Sequence, residues 1–501
     1  MAWNVPQLSP PHVERIAAMN LLALTGLLLL AQPADTVPPV VISHVTVITG
    51  TDAAPLTDRT VILAGGRIQS IVPAALARPP RGATLVDGRG RFLIPGLWDM
   101  HTHLANRPLL HAGTQVAPLD ANRTYVLPLL LSYGVTGVRD MAGDLATLKR
   151  WRQAIAAGTL LGPHLVFTGK KLGKAPVVPG APYPIQSDDD VRASVRALRQ
   201  GGADFIKVDG LAGRFYPGLF RLADSVGLQV VGHTAIDLGA VKVAQLGQRS
   251  IEHLDGLVLA CSAEDEALRA DALAEKGWWR GLLTRVGLSD PEENFRERYR
   301  RMLATQSLQQ TDSVLQVFRT HETWQVPTLV MLRDIRLLPP SATLRVELDS
   351  LAAPEAGEPP PDVRWVGDTT LPHQLFRRER DILGQMIDAG VPILAGTDGP
   401  GGTRLPGAAL HDELQLLVDA GMTPLQALQA ATSAPARFLG AADSLGTVAE
   451  GKVADLVLLD ADPLADIGNT RQIRSVFLRG RLLDRATLDS LRQAAARVAG
   501  H

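Results

Sequence analysis

The chain has 501 residues, 46% of them hydrophobic and 20% charged, and its 50 Lys+Arg against 51 Asp+Glu leave a formal net charge of −1. This apolar content with balanced charge excludes a disordered chain, a fibrous repeat and a polycationic nucleic-acid binder. The single cysteine, Cys261, excludes an intramolecular disulfide and any cysteine-rich zinc module.

Near the amino terminus, Asn20–Ala31 reads NLLALTGLLLLA, preceded by Arg15 and followed by QPADT. The run is too short to span a bilayer as a helix and has the shape of a signal-peptide core. It predicts a signal peptide over 1–34 and an exported product, periplasmic or secreted; a short membrane anchor or an apolar helix is the alternative. No other stretch is long enough to cross a membrane, so a mature protein without a transmembrane helix is expected.

From residue 35 to 92, short runs rich in Val and Ile (VVISHVTVITG, RTVILAGGRIQSIV, ATLVDGRGRFLI) are cut by Gly, Asp and Pro, which reads as a small β-sheet. Residues 443–501 repeat the texture in VADLVLLDADP and IRSVFLRGRLL. A composite β-sandwich built from both termini is predicted. Between them, over 93–442, apolar strand patterns alternate with amphipathic helices. The strand candidates are 93–103, 134–141, 165–170, 204–209, 228–234, 249–256, 325–331 and 392–398, and the helical stretches include Asp189–Gln200 and Leu410–Ala420. An α/β fold with an eight-stranded parallel (β/α)8 TIM barrel follows. The sixth and seventh strands are widely separated by an insertion over 261–320, with charged helical segments Asp265–Arg301 and Gln306–Thr320. It reads either as a lid over the catalytic face or as a solvated decoration or dimer contact. Trp278 and Trp279 lie within it, either lining that lid or packing on an exposed helix. Pro340–Pro372 reads as a surface excursion.

The histidines are informative by position. His101 and His103 end the first strand two residues apart, so they point the same way. His233 ends the fifth strand, His253 lies near the end of the sixth, and Asp398 ends the eighth. Imidazole and carboxylate are natural ligands of zinc and similar ions, and these side chains converge on the face where barrel enzymes act. His12, His44, His111, His164, His321, His373 and His501 share no such placement. Lys207 stands inside the apolar strand DFIKVD, where an unpaired ammonium is costly. It either pairs with Asp209 or Asp204, loses its charge, or is converted by carbon dioxide to a carbamate able to ligate metal. Glycine-rich GTDGPGGT (396–403) lacks the following Lys-Ser/Thr of a phosphate cradle, and no basic aromatic platform for nucleic acid is present.

These motifs, PGLWDMHTHL, GADFIKVDG, VVGHTA, SIEHLDG and LAGTDGP, together with HDELQLLVDAGMTPLQALQAATSAPARFLG and LGTVAEGKVADLVLLDADPL, resemble the amidohydrolase superfamily. The likeness is closest to its imidazolonepropionase-like and prolidase-like branch, whose members include Xaa-Pro and Xaa-Arg dipeptidases. The resemblance implies a binuclear site, usually zinc. His101, His103 and Asp398 would hold one ion, His233 and His253 the other, and carbamylated Lys207 would bridge them. It further implies hydrolysis of an amide or related C–N bond by a metal-bridged hydroxide, with Asp398 taking the proton and returning it to the leaving amine.

Substrate contacts are less legible. Arg139 and Asp140 follow the second strand, Lys170 and Lys171 the third, and Phe215 and Tyr216 the fourth. Arg139 and Tyr216 suit a substrate carboxylate, as in a dipeptide or N-acyl amino acid, and His411 matches a position of the family pattern. Three readings stand: a metal-dependent hydrolase of a small-molecule amide or dipeptide; a single-metal imidazolonepropionase-like cyclic amide hydrolase or deaminase; and a catalytically inactive binding protein on the same fold. The absence of a Glu in HTAIDL and the presence of Lys207 favour the first over the second. A lactone or organophosphate substrate is reachable from the same site. A homo-oligomer is implied by the resemblance alone.

Overall fold

The structure, a computed structural model, describes residues 38–106, 111–112, 115–116, 119–173, 183–275, 291–337, 370–401 and 404–498. The apolar leader over 1–34, Trp278 and Trp279, and residues 340–369 of the proline-rich excursion lie outside the described residues. Among the described residues no helix is long and apolar enough to cross a membrane.

The principal strands are, in chain order, β1 (Val40–Val47), β2 (Leu56–Ala64), β3 (Arg67–Pro73), β4 (Thr84–Asp87), β5 (Phe92–Pro95), β6 (Leu97–Thr102), β7 (Val135–Asp140), β8 (His164–Phe167), β9 (Phe205–Asp209), β10 (Gln229–Gly232), β11 (Ser250–Glu252), β12 (Trp324–Val326), β13 (Leu456–Leu459), β14 (Ile473–Leu478) and β15 (Arg481–Leu483). Both chain ends share one eight-stranded sheet in the order β15-β14-β13-β5-β1-β2-β3, with β4 also paired to β1. The two ends meet where β5 lies antiparallel to β13, Leu93 opposite Leu458. The expected sandwich is thus a single hydrogen-bonded sheet, folded around an apolar core that includes Ile42, Val45, Leu63, Leu93, Leu458 and Phe477.

The middle of the chain is mixed α/β with parallel strands. One sheet runs β8-β7-β6; another joins β9, β10, β11 and β12 in that order, extended beyond β9 by Leu172–Gly173 and Tyr183–Pro184. Leu172–Gly173, just past β8, pairs in parallel with Val208–Asp209 of β9. At the far side, Leu394 N donates to Gln325 O at 2.9 Å, Met100 N donates to Ala395 O at 2.9 Å and Asp398 N donates to His101 O at 2.8 Å. The segment 392–399 therefore hydrogen-bonds to β12 on one flank and β6 on the other.

Two apolar runs divide differently from the sequence expectation. The run 93–103 is cut at Pro95-Gly96 into β5, which belongs to the terminal sheet, and β6, which belongs to the parallel one. The run 325–331 ends as a strand at Val326, and a helix, Leu329–Leu337, follows Pro327 and Thr328. Pro cannot donate to a ladder, which ends the strand there. The amphipathic stretches behave as read: Asp188–Gly201 is a helix opened by a Ser187/Asp190 capping box, and Ala408–Asp419 another. Within the insertion, helix Leu308–Thr320 buries Val314, Leu315 and Phe318 and packs on helices Gly239–Gln245 and Thr370–Ala389. That part of the insertion is packed against the helices beside it. Residues 276–290 lie outside the described residues.

Candidate metal centre

Parallel strands bring their carboxyl ends to one face, and six sequence-singled side chains meet there. His101 Nε2 lies 3.2 Å from Lys207 Nζ and 3.3 Å from Asp398 Oδ1. His103 Nε2 lies 2.9 Å from the same Asp398 oxygen. The His101 and His253 rings stand 4.6 Å apart between centroids, and those of His253 and His233 5.0 Å. His101, His103 and Asp398 each offer a ligand atom, all within 4.8 Å of one another. Backbone crowding explains the flanking glycines. A Cβ at Gly396 would fall 2.9 Å from His101 N, and one at Gly232, where φ is +121°, 2.3 Å from Val208 O.

The rings are held from behind. His101 Nδ1 faces Glu252 Oε2 at 2.8 Å, and His253 Nδ1 faces the Thr328 hydroxyl at 2.7 Å. Thr328, His253 and Asp398 adopt positive φ of 48°, 61° and 54°, a sparsely populated region for non-glycine residues and most costly for the β-branched Thr328. Glu413, from helix Ala408–Asp419, accepts the Val330 amide at 2.8 Å and so fastens the helix that begins directly after Thr328. His103 Nδ1 is buried without a partner among the described residues.

Burial dominates the electrostatics. It pushes the Lys207 ammonium down to about 8 and the His253 imidazole to about 3, and it lowers His101, aided by Lys207. Burial pushes Asp398 upward, but His253, His103 and His101 around it outweigh that and hold its carboxyl well below the usual range. The two pairings weighed for Lys207 are taken up elsewhere. Asp204 binds Arg152 at 2.8 Å, while Asp209 binds Lys171 at 2.5 Å and faces His233 Nδ1 at 3.2 Å. Burial opposes both ionised forms of that last pair, yet the Asp209 hydrogen bond raises His233, and His233 with Lys171 lowers Asp209.

Three expected substrate contacts are corrected. Arg139 is fully buried: Nη2 donates to Glu252 at 2.9 Å, Nη1 to Ser250 Oγ at 3.2 Å and Nε to Met100 O at 2.6 Å. With each nitrogen committed beneath the site, it touches His101's partner, not substrate. Tyr216 is also buried, its hydroxyl donating to His233 O at 3.4 Å. His411 is buried away from the cluster between Thr470 Oγ1 (2.9 Å) and Tyr133 O (3.0 Å). Of the other residues near strand ends, Asp140 accepts the Leu104 amide at 2.6 Å and Phe215 is core. Sequence reasoning passed over Glu252, Thr328 and Glu413. Glu252 carried a signal, since a carboxylate in the strand SIE poses the same buried-charge question as Lys207; Thr328 carried none.

A model of the amidohydrolase family matches residues 92–483. Over 83 residues the chain is 43% identical to ochratoxinase from Aspergillus niger, 16% of each chain. Over 81 residues it is 38% identical to imidazolonepropionase from Shouchella clausii (strain KSM-K16), 15% of this chain and 17% of that one. The chain thus aligns with less than a fifth of the length of these curated relatives. A solved Xaa-Pro dipeptidase with bound methionine in its active site superposes with a TM-score of 0.64 at 20% identity, covering 89% of this chain and 100% of that one. The A. niger ochratoxinase structure gives 0.61 at 20% identity, covering 89% and 96%. At these identities the structural likeness is one of fold.

Proposed function

Because the chain belongs to the amidohydrolase family, we propose that it is a metal-dependent hydrolase of an amide or other carbon–nitrogen bond, acting on a dipeptide or N-acyl amino acid. The observation that carries this is the convergence of His101, His103, Lys207, His233, His253 and Asp398 at the strand ends. The donor set fits divalent ions. The Nδ1 sides of His101 and His253 are committed to Glu252 and Thr328, which leaves their Nε2 atoms for the cluster. His103 keeps a buried orphan nitrogen, and Asp398 stands against two imidazoles as an anionic ligand would. Two divalent ions, most naturally zinc, would supply a Lewis acid for the scissile carbonyl and lower the pKa of water.

The chain's own residues do the rest. Asp398, held ionised, is the carboxylate that accepts a proton from the attacking water and returns it to the leaving amine. Lys207, whose buried amine is neutral more readily than an exposed one, is the group to take up carbon dioxide: the neutral amine forms an N–C bond, one proton leaves, and the product is an anion. Support for a closed (β/α)8 barrel comes from the hydrogen bonds of 392–399 to both β12 and β6. Export rests on Asn20–Ala31 and is tested by cell fractionation.

The deciding experiment is metal analysis of the purified protein and of Lys207→Ala, beside assays on dipeptides and N-acyl amino acids. Two ions per chain, fewer in Lys207→Ala, and activity rescued there by short carboxylic acids are expected. One ion per chain with an unmodified Lys207 refutes the binuclear reading. It favours the second reading, a single-metal cyclic amide hydrolase or deaminase, for which His101, His103 and Asp398 already form a three-ligand set.

A further inference from the structure

We propose that the buried Arg139–Glu252 pair is a positioning device that locks His101 in one tautomer, with its proton on Nδ1, before any ion arrives, and so sets the affinity of the centre for metal. A neutral imidazole has one donor and one acceptor nitrogen. Glu252 already accepts from Arg139 on both oxygens and from Ser250 on Oε1, so the 2.8 Å contact to Oε2 places the proton on Nδ1. On the other side, Nε2 lies between Lys207 Nζ at 3.2 Å and Asp398 Oδ1 at 3.3 Å, a donor and an acceptor whose demands oppose each other. The shorter contact, to Glu252, therefore sets the form.

The other partners of Glu252 are donors as well. Arg139 Nη2 donates to Oε1 at 3.0 Å and to Oε2 at 2.9 Å, and the Ser250 hydroxyl donates to Oε1 at 2.5 Å. Arg139 in turn donates from Nε to the carbonyl of Met100, the residue before His101, at 2.6 Å. Its guanidinium lies 5.1 Å from the Phe438 ring centre, so aromatic faces as well as hydrogen bonds hold it. The strut therefore starts on β7, grips β11 and ties back to β6 beside the ring it orients. An ion pair serving only to join strands would not need a metal-competent imidazole as its fourth partner. Carboxylates behind ligating histidines fix orientation and raise ligand basicity. The affinity consequence rests on the metal reading; the tautomer does not.

The test uses the full chain, stripped of metal by chelator and 15N-labelled at histidine, with His101 assigned by difference against His101→Asn. The Nδ1–H form of His101 is expected in metal-free wild type. In Glu252→Gln, whose amide can donate or accept, a mixture of forms is expected, and zinc binding measured by chelator competition weakens about ten- to a hundred-fold. Glu252→Asp, still an anion, recovers part of that affinity. A merely structural pair would lower the melting temperature in both variants and leave the tautomer unmoved. If Glu252→Gln does not fold, Arg139→Lys, which keeps the charge but loses the fork, is expected to weaken zinc about ten-fold. An Nε2–H form of His101 in the wild type, or wild-type zinc affinity in the variant, overturns the proposal. Failure of wild type to take up zinc overturns the functional reading instead, while the tautomer still decides this one.

Discussion

Glu413 should make the fold less stable as pH rises through neutrality. The residue is fully buried, its Oε2 accepts the Val330 amide, and its Oε1 has no partner among the described residues. Burial pushes its carboxyl up to about 8 from an ordinary 4.5. The folded state therefore holds this proton over a window where the unfolded state has released it. Stability from a raised carboxyl is full below the unfolded value and is lost as pH climbs toward the folded one, at about 1.4 kcal/mol per pH unit. Between pH 5 and 7.5 the loss amounts to about 3 kcal/mol. Glu413→Gln replaces the protonated acid by a carboxamide of like shape whose oxygen still accepts from Val330, and it removes the titration. Urea unfolding of metal-free wild type and variant at both pH values gives the comparison. The stability of the variant relative to wild type should rise by about 3 kcal/mol between pH 5 and pH 7.5. Asp99, pushed by burial to about 7, contributes a slope of the same sign to both proteins and largely cancels. Parallel pH profiles for the two proteins would refute the reasoning.

His411→Leu should cost about 1–3 kcal/mol by removing the buried hydrogen bonds of the ring to Tyr133 O and the Thr470 hydroxyl, with kcat/KM per folded molecule unchanged; a selective rise in KM would return His411 to substrate binding. Gly396→Ala should destabilise by about 1–3 kcal/mol through overpacking, because its Cβ would lie 2.8 Å from Val326 Cγ1 and 2.9 Å from His101 Cβ. A melting temperature equal to wild type would show that β6 and β12 can part at no cost.

Positions that depend on strand periodicity were open to sequence reasoning. His101 and His103 share a face because alternate residues do, and Lys207 announced itself as a cation in an apolar strand. What a one-dimensional pattern cannot carry is depth. Arg139 sits at a strand end, as read, yet its side chain turns inward below the ligands, where Glu252 and Ser250 consume its donors. The run 325–331 is apolar throughout, and periodicity alone does not distinguish a buried strand from a buried helix. Only the backbone turn at Thr328 does so, and that turn is the one that delivers a hydroxyl to His253. His411 shows the same limit from the other side, since a motif position matched a family pattern while its side chain is buried between Tyr133 O and the Thr470 hydroxyl, away from the cluster.

The unusual backbone at the site follows from what the ligands require. A strand that simply continued past Glu252 would alternate its side chains, sending one of Glu252 and His253 away from the interior. Here both serve the same cluster, Glu252 through His101 and His253 through its own ring. The positive φ at His253 is what breaks the alternation, and Leu254, with φ of 52°, continues the bend. Such conformations cost of order 1–3 kcal/mol each, and the surroundings must over-determine them. The His253 amide donates to Val326 O at 2.9 Å, the ring to or from Thr328 at 2.7 Å, and Thr328's own left-handed turn is anchored through Val330 to Glu413. Strain on β11 is thus offset by bonds from β12 and from helix Ala408–Asp419. Substitutions at Thr328 or Glu413 should therefore reach the metal centre through His253 without touching a ligand.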